Sequence, residues 1–193
     1  MSTKTGISID NSSLKFLELK KYVISGGEST ADGVKSVAID NHSQTVFAIT
    51  STHLLVTPLP QLLAFEWNKS VINETVERFP HFKIALNFTP HLISISAAGF
   101  GHKIAVCGAD YQSSTAPFIV FFDVSDVHRN QSQSLPFNRI NLFNSTGHVS
   151  DIVWHPELND QCFGCCVSDG SFFLVSIGDP ASKQCAILAD IRP

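Results

Sequence analysis

The stretch DQCFGCCVSDGSFFLVSI, residues 160–177, decides the fold, because it fits either a metal site or a β-hairpin. Three cysteines lie close together, and Cys162 and Cys165 have the spacing of a zinc knuckle. The Asp169-Gly170 pair, however, separates two apolar runs and is a type I′ hairpin signal. If 161–167 is a strand, the two cysteines point to opposite faces and cannot share a tetrahedral zinc ion. We therefore predict small buried side chains in a strand, with a redox pair as the alternative.

A pattern of strand, turn, strand, turn, strand occurs three times, in residues 34–59, 91–127 and 147–177. Aligning Ile39, Ile95 and Trp154 gives a spacing of roughly 56 to 59 residues, and a repeat of this size built from short antiparallel strands points to β-propeller blades. A fourth, outermost strand would follow each segment, in FKIALNF, FNRINLF and KQCAILADI.

The repeats predict an all-β fold: a partial β-propeller of WD type, of which this chain holds about three blades. Residues 1–193 would form one incomplete domain, with blade-like segments at about 14–82, 83–146 and 147–193. Residues 61–82 and 125–138 are polar, and we expect loop-like insertions there. Residues 125–138 should be mobile surface, either a solvated linker or a surface for a partner.

The third segment resembles a WD repeat most closely. Gly147-His148 stands where such repeats carry Gly-His, and SDGSFFLVSI fits the hairpin and the strand after it. Phe122-Asp123 occupies the Trp-Asp position in the second segment, whereas Ser176-Ile177 replaces that pair in the third.

Composition narrows the classes of function. The chain of 193 residues has 13 basic and 17 acidic residues, so that binding to nucleic acid or to a membrane surface is disfavoured. The N-terminus lacks the apolar core of a secretory signal, and no apolar run reaches the roughly 18 residues of a membrane span. We expect a cytosolic or nuclear protein with free thiols at positions 107, 162, 165, 166 and 185.

Other chemistry-bearing residues fit structural roles. His148 and His155 are expected in polar packing, with His148 hydrogen-bonded inside its blade. The GFG at 99–101 is a lone Gly-x-Gly and predicts a hairpin turn. Three carboxylates near predicted strand ends are expected in turns and caps: Asp123, Asp126 and Asp151. The sequence therefore predicts a protein that is not an enzyme, with no catalytic residues, cofactor or metal.

Several pieces together resemble one family. FLELKKYVI (16–24), IVFFDV (119–124), Pro136-Phe137, VSDIVWHP (149–156), CCVSDGSFFLVSI (165–177) and KQCAIL (183–188) occur in shared order. They resemble the N-terminal β-propeller of the cytoplasmic-face FG-repeat nucleoporin that recruits the DEAD-box mRNA-export helicase. The similarity runs patchily from about residue 14 to the end and is best over about 92–188.

The resemblance implies a seven-bladed propeller, of which this chain holds about three blades. It also implies a nuclear pore component at the cytoplasmic face of the nuclear envelope. Its partners would be the DEAD-box helicase, which a complete propeller binds, and other nucleoporins, without direct nucleic-acid binding or membrane insertion. The family's helicase contacts come largely from later blades, so no partner-binding residue is assigned. An open propeller exposes a blade face and strand edges, and we expect a fragment or a chain unstable alone. The alternatives are a WD-type scaffold or adaptor of another intracellular complex, and a metal or redox protein using Cys162–Cys166.

Overall fold

The computed structural model describes residues 33–64, 81–96, 102–109, 116–158, 161–178 and 185–193. They form three antiparallel sheets, each of four strands in chain order. The first sheet contains β1 (Ser36–Asp40), β2 (Thr45–Ile49), β3 (His53–Pro58) and β4 (Phe82–Ala85). The central sheet contains β5 (Thr89–Ile95), β6 (Lys103–Ala109), β7 (Phe118–Asp123) and β8 (Asn138–Asn141). The third sheet contains β9 (Val149–Trp154), β10 (Cys162–Val167), β11 (Phe172–Ile177) and β12 (Cys185–Ile191).

The prediction of an all-β fold is confirmed, with a fourth strand after each three-strand segment. The predicted boundary at 146/147 lies between β8 and β9. The boundary predicted at 82/83 falls inside β4, which pairs with β3 by placing Lys83 opposite Leu55. The first sheet therefore extends beyond the segment that the sequence outlined.

The central sheet is buried on both of its faces. Along β6, Ile104 and Val106 belong to a core shared with the first sheet, whereas Ala105 and Cys107 belong to a core shared with the third sheet. This alternation follows from the strand period of two residues. Since both faces of β6 and β7 are covered, both strands are almost continuously apolar in sequence.

Polar bonds also join the first strands of neighbouring sheets. The indole N–H of Trp154 in β9 donates to Ser94 Oγ in β5 at 2.9 Å. The Nε2 of His91 in β5 bonds Val149 O in β9 at 3.0 Å. Between β5 and β1, the N–H of Ile93 donates to Ser36 Oγ at 3.4 Å. The sheets are thus tied together along the side where their first strands lie.

The prediction of a mobile loop at 125–138 is wrong. Helix α2 (Val124–Asn130) is followed by a 3₁₀ helix (Gln131–Gln133) and then by β8 from Asn138. Val124 and Val127 are buried in the core between the first and central sheets. Short helices form here because apolar residues spaced by three place one face against that core.

The loop predicted at 61–82 is also wrong at both of its ends. Helix α1 (Leu59–Ala64) follows β3 directly, and β4 begins at Phe82; residues 65–80 lie outside the described residues. Leu59 and Leu62 of α1 pack with Val37 and Val46, on the face of the first sheet that points away from the central sheet.

Candidate functional site

The cysteine-rich stretch forms strand β10, as predicted. Phe163, Cys165 and Val167 belong to the core between the central and third sheets. Because side chains alternate along a strand, Cys162 and Cys166 lie on the opposite face. Cys162 and Cys165 are therefore separated by the sheet. Among the described residues, no group of three or more His, Cys, Asp or Glu side chains could hold a metal ion.

Burial shifts the thiols of Cys165 and Cys107 away from the reactive thiolate form. Burial raises the pKa of Cys165 to about 12, and the neighbouring Cys166 adds to this effect. Burial, together with the nearby Cys165, also raises the pKa of Cys107 far above its ordinary value. Since the thiolate is the nucleophile and metal ligand, a raised pKa disfavours both roles at neutral pH. Cys166 is exposed.

The turn between β10 and β11 is held by Asp169. Its carboxylate accepts hydrogen bonds from the Ser145 hydroxyl at 2.6 Å, the Thr146 N–H at 2.8 Å and the Ser171 N–H at 2.9 Å. These bonds hold the pKa of Asp169 well below its ordinary value, and the bond from Ser145 has the largest effect. They also connect the turn to the loop between β8 and β9.

The predicted type I′ geometry of this turn is wrong. That geometry needs positive φ at both Asp169 and Gly170, but of these two only Gly170 has it, at 89°. The turn is closed instead by a bond from Gly170 N–H to Val167 O at 2.9 Å. The bonds that Asp169 makes to the neighbouring loop favour this wider turn.

The two histidines have different local roles. The backbone N–H of His148 donates to Ser168 Oγ at 3.1 Å, while its ring packs edge-on against His91 with centroids 5.6 Å apart. His148 thus bonds within its sheet through its backbone, and its imidazole faces the central sheet. Burial lowers the pKa of His91, against the opposing effect of its bond to Val149. The Nδ1 of His155 accepts from two turn N–H groups.

The three carboxylates singled out from the sequence have different local environments. Asp123 caps α2 by accepting from the N–H of Asp126 at 3.0 Å, and Asp126 accepts from Ser134 Oγ at 3.1 Å. The predicted cap role is confirmed for Asp123, whereas Asp126 lies inside α2 and not in a turn or at a cap. Asp151 is an exposed residue in the interior of β9, so its predicted place at a strand end is wrong. The Gly-x-Gly at 99–101 lies outside the described residues.

A buried polar cluster between the first and central sheets was missed by the sequence reasoning. Asp40, at the end of β1, lies with its Oδ1 3.2 Å from Nδ1 of His102, just before β6. Both side chains are buried, and the ring of His42 stacks on that of His102 with centroids 4.9 Å apart. Asp40 also accepts from the N–H groups of His42 and Ser43 at 3.0 and 3.2 Å. The only sequence signal was an aspartate opening a turn after an apolar strand.

The candidate surface for a partner is the face of the third sheet that points away from the central sheet. We call it the outer face of the third sheet; it carries Val153, Phe172, Leu174 and Ile191. Val153 is 66% exposed and Ile191 is 60% exposed. The ring of Phe172 lies over Gly164, whose missing side chain leaves that space free.

A scan against known protein families finds no matching family, and a search of curated proteins finds no matching relative. No helix among the described residues is long and apolar enough to cross a membrane. The described residues contain buried thiols, an exposed thiol at Cys166, carboxylates that accept local hydrogen bonds, and an exposed apolar sheet face.

Proposed function

We propose that this chain is a β-propeller-type docking module of a nuclear pore nucleoporin that serves mRNA export. One observation carries the proposal: three four-stranded antiparallel sheets follow one another in chain order, each packed on the one before. Propeller blades are four-stranded sheets in such a succession. The nucleoporin-like pieces IVFFDV, VSDIVWHP and CCVSDGSFFLVSI occupy β7, β9 and the β10–β11 hairpin, the parts that build these interfaces.

The surface chemistry supports docking rather than catalysis. A nucleophilic thiol needs a lowered pKa, whereas burial raises the pKa of Cys165 to about 12 and that of Cys185 to about 11. Exposed apolar side chains on a sheet face, such as Val153 and Ile191, are instead typical of surfaces that bind protein.

The resemblance supplies the partner class. In the family, the propeller docks a DEAD-box helicase and opposes its RNA binding, so that helicase cycles are timed at the pore exit. For this chain we propose the same class of partner, a helicase whose binding competes with RNA. The net charge of −4 is compatible with a protein that excludes RNA and does not bind it.

An immunoblot of cell fractions tests this assignment. The antibody should be raised against residues 125–138, where the run from His128 to Gln133 is exposed. We expect a band far larger than 21.1 kDa, enriched in nuclear envelopes. A cytosolic band of 21.1 kDa alone would overturn the nucleoporin assignment and favour an adaptor of another complex.

Immunoprecipitation with the same antibody tests the partner. We expect a DEAD-box helicase in the precipitate from cell extract, and we expect added single-stranded RNA to reduce its recovery. A helicase recovered equally well with and without RNA would contradict competition. If the protein is found in nuclear envelopes but no helicase is precipitated with it, the helicase assignment would be overturned and only a structural role in the pore would remain.

A further inference from the structure

In the central and third sheets, the repeat places equivalent side chains of the first strand toward the preceding sheet. In the central sheet, Ile93 and Ile95 of β5 pack into the core shared with the first sheet. In the third sheet, Ile152 and Trp154 of β9 pack into the core shared with the central sheet. Both pairs have the same spacing along their strands.

The corresponding residues of the first sheet are Val37 and Ile39. This sheet has no preceding sheet among the described elements. Ile39 pairs with Val46 on the face that points away from the central sheet, and it is 39% exposed. Helix α1 covers Val37 and Val46 of this face through Leu59 and Leu62. The remainder of this face, with Ile39, is the outer face of the first sheet.

The opposite side of each first strand meets the following sheet. Ala38 of β1 packs against the core shared with the central sheet, and Ser94 of β5 accepts the indole N–H of Trp154 at 2.9 Å. Val153 is the equivalent residue of β9, and it is 66% exposed. Within the described parts of the chain, one half of the repeated contact is therefore exposed at Val153 and the other half is partly exposed at Ile39.

We propose that a second copy of this chain covers these faces by head-to-tail association. The outer face of the first sheet of one copy would pack on the outer face of the third sheet of the other, with Ile39 beside Val153. Such an interface joins two different surfaces and is heterologous, so each copy keeps one free half unless the assembly closes into a ring. This inference concerns the 193-residue chain by itself and does not rest on the proposed function; in a longer chain, further blades would cover the same two faces.

Sedimentation velocity of the purified 193-residue chain across a dilution series tests the proposal. We expect a mass of at least two copies that dissociates on dilution. Val153→Asp and Ile39→Asp should each weaken association by about tenfold or more, because each places an unpaired charge in the apolar contact. Leu135→Asp is the matched control: Leu135 is 77% exposed, lies outside both outer faces, and should associate as the unchanged chain does.

Mixing the two interface variants keeps the test decisive even if one of them is less stable. The Val153→Asp chain retains its first-sheet face, and the Ile39→Asp chain retains its third-sheet face. An equimolar mixture should therefore form a one-to-one dimer, while each variant alone stays monomeric. A monomeric unchanged chain, aggregates that neither variant alters, or a mixture that stays monomeric would overturn the proposal.

Discussion

The central and third sheets have the same four-stranded order, but they differ in how many of their faces are buried. Strand β7 of the central sheet reads FIVFFD and is buried from Phe118 to Phe122. Strand β11 of the third sheet reads FFLVSI and alternates between half-buried and buried residues. The difference shows that a continuous apolar run marks a strand covered on both faces. It also shows that the third sheet retains apolar side chains, such as Phe172 and Leu174, on a face that the described residues leave open.

The largest change in the free energy of unfolding is expected when a phenylalanine is truncated in the central sheet, compared with one in the third sheet. Phe121 is fully buried and its ring lies 5.7 Å from that of Phe163 across the interface. Phe121→Ala should lower the free energy of unfolding by about 3–5 kcal/mol, from lost burial and the cavity left behind. Phe172→Ala, on the outer face of the third sheet, should cost about 1 kcal/mol. Denaturant unfolding, at a dilution where the chain is monomeric, measures both; equal losses would contradict the difference in burial.

Adding a single methyl group at a glycine compares how tightly the central and third sheets are packed. A Cβ at Gly108 in the central sheet would overlap the ring of Phe88, which is buried and packs edge-on against Phe118. Gly108→Ala should therefore cost about 1–3 kcal/mol, because that ring has no room to move.

The matched change is Gly164→Ala in the third sheet. Its Cβ would lie 2.8 Å from Cζ of Phe172, a half-buried ring that can turn toward solvent. We expect a loss below about 1 kcal/mol by denaturant unfolding. If Gly164→Ala destabilised the chain more than Gly108→Ala, the outer face of the third sheet would have to be packed as tightly as the core.

Strand order and core faces could be predicted from sequence because they depend on local alternation. Aligning Ile39, Ile95 and Trp154 identified residues that the structure places on equivalent faces of β1, β5 and β9. The opposite orientations of Cys162 and Cys165 followed from the same period of two.

Features that depend on distant contacts could not be predicted in this way. The turn at Asp169 differs from the predicted one because its carboxylate bonds Ser145 and Thr146, which lie in another loop. Asp40 and His102 meet only when two sheets pack together. Helix α2 has one signal in the sequence, the capping residue Asp123. The helix is so short and its surface so polar that the sequence pattern still favoured a loop.

The two interfaces of the central sheet differ in charge, and acid should distinguish them. Burial alone would raise the pKa of Asp40, but contacts from Ser43, His42 and His102 outweigh it and hold the pKa below its ordinary value of 3.8. A lowered folded-state pKa adds stability above the unfolded-state value, and this stability is lost as pH falls through the folded-state value. The interface with the third sheet uses the neutral bond between Trp154 and Ser94.

Asp40→Asn should therefore lower the denaturation midpoint at neutral pH and flatten its fall below about pH 4. The measurement is a set of denaturant titrations from neutral to acid pH. Asp151→Asn, a change at an exposed strand carboxylate, is the control and should leave the profile nearly unchanged. An Asp40→Asn profile parallel to that of the unchanged chain would mean that Asp40 carries no acid-sensitive stability.

The smallest perturbation is the labelling of thiols, which changes no residue and reports which face each one occupies. Cys166 is exposed on the outer face of the third sheet, opposite Asp151, whereas Cys165 and Cys107 are buried between the third and central sheets. Because the thiolate reacts and burial raises the pKa of Cys165 to about 12, iodoacetamide should modify Cys166 first in the folded chain. Cys165 and Cys107 should then react together, at the rate at which the two sheets separate.

Peptide mass spectrometry over time measures the order in which the cysteines are labelled, with denaturant-unfolded chain as the control for intrinsic reactivity. If Cys165 reacted as fast as Cys166, the third sheet would have to open from the central sheet in the native state. Burial would then not protect the thiol on the core face of β10.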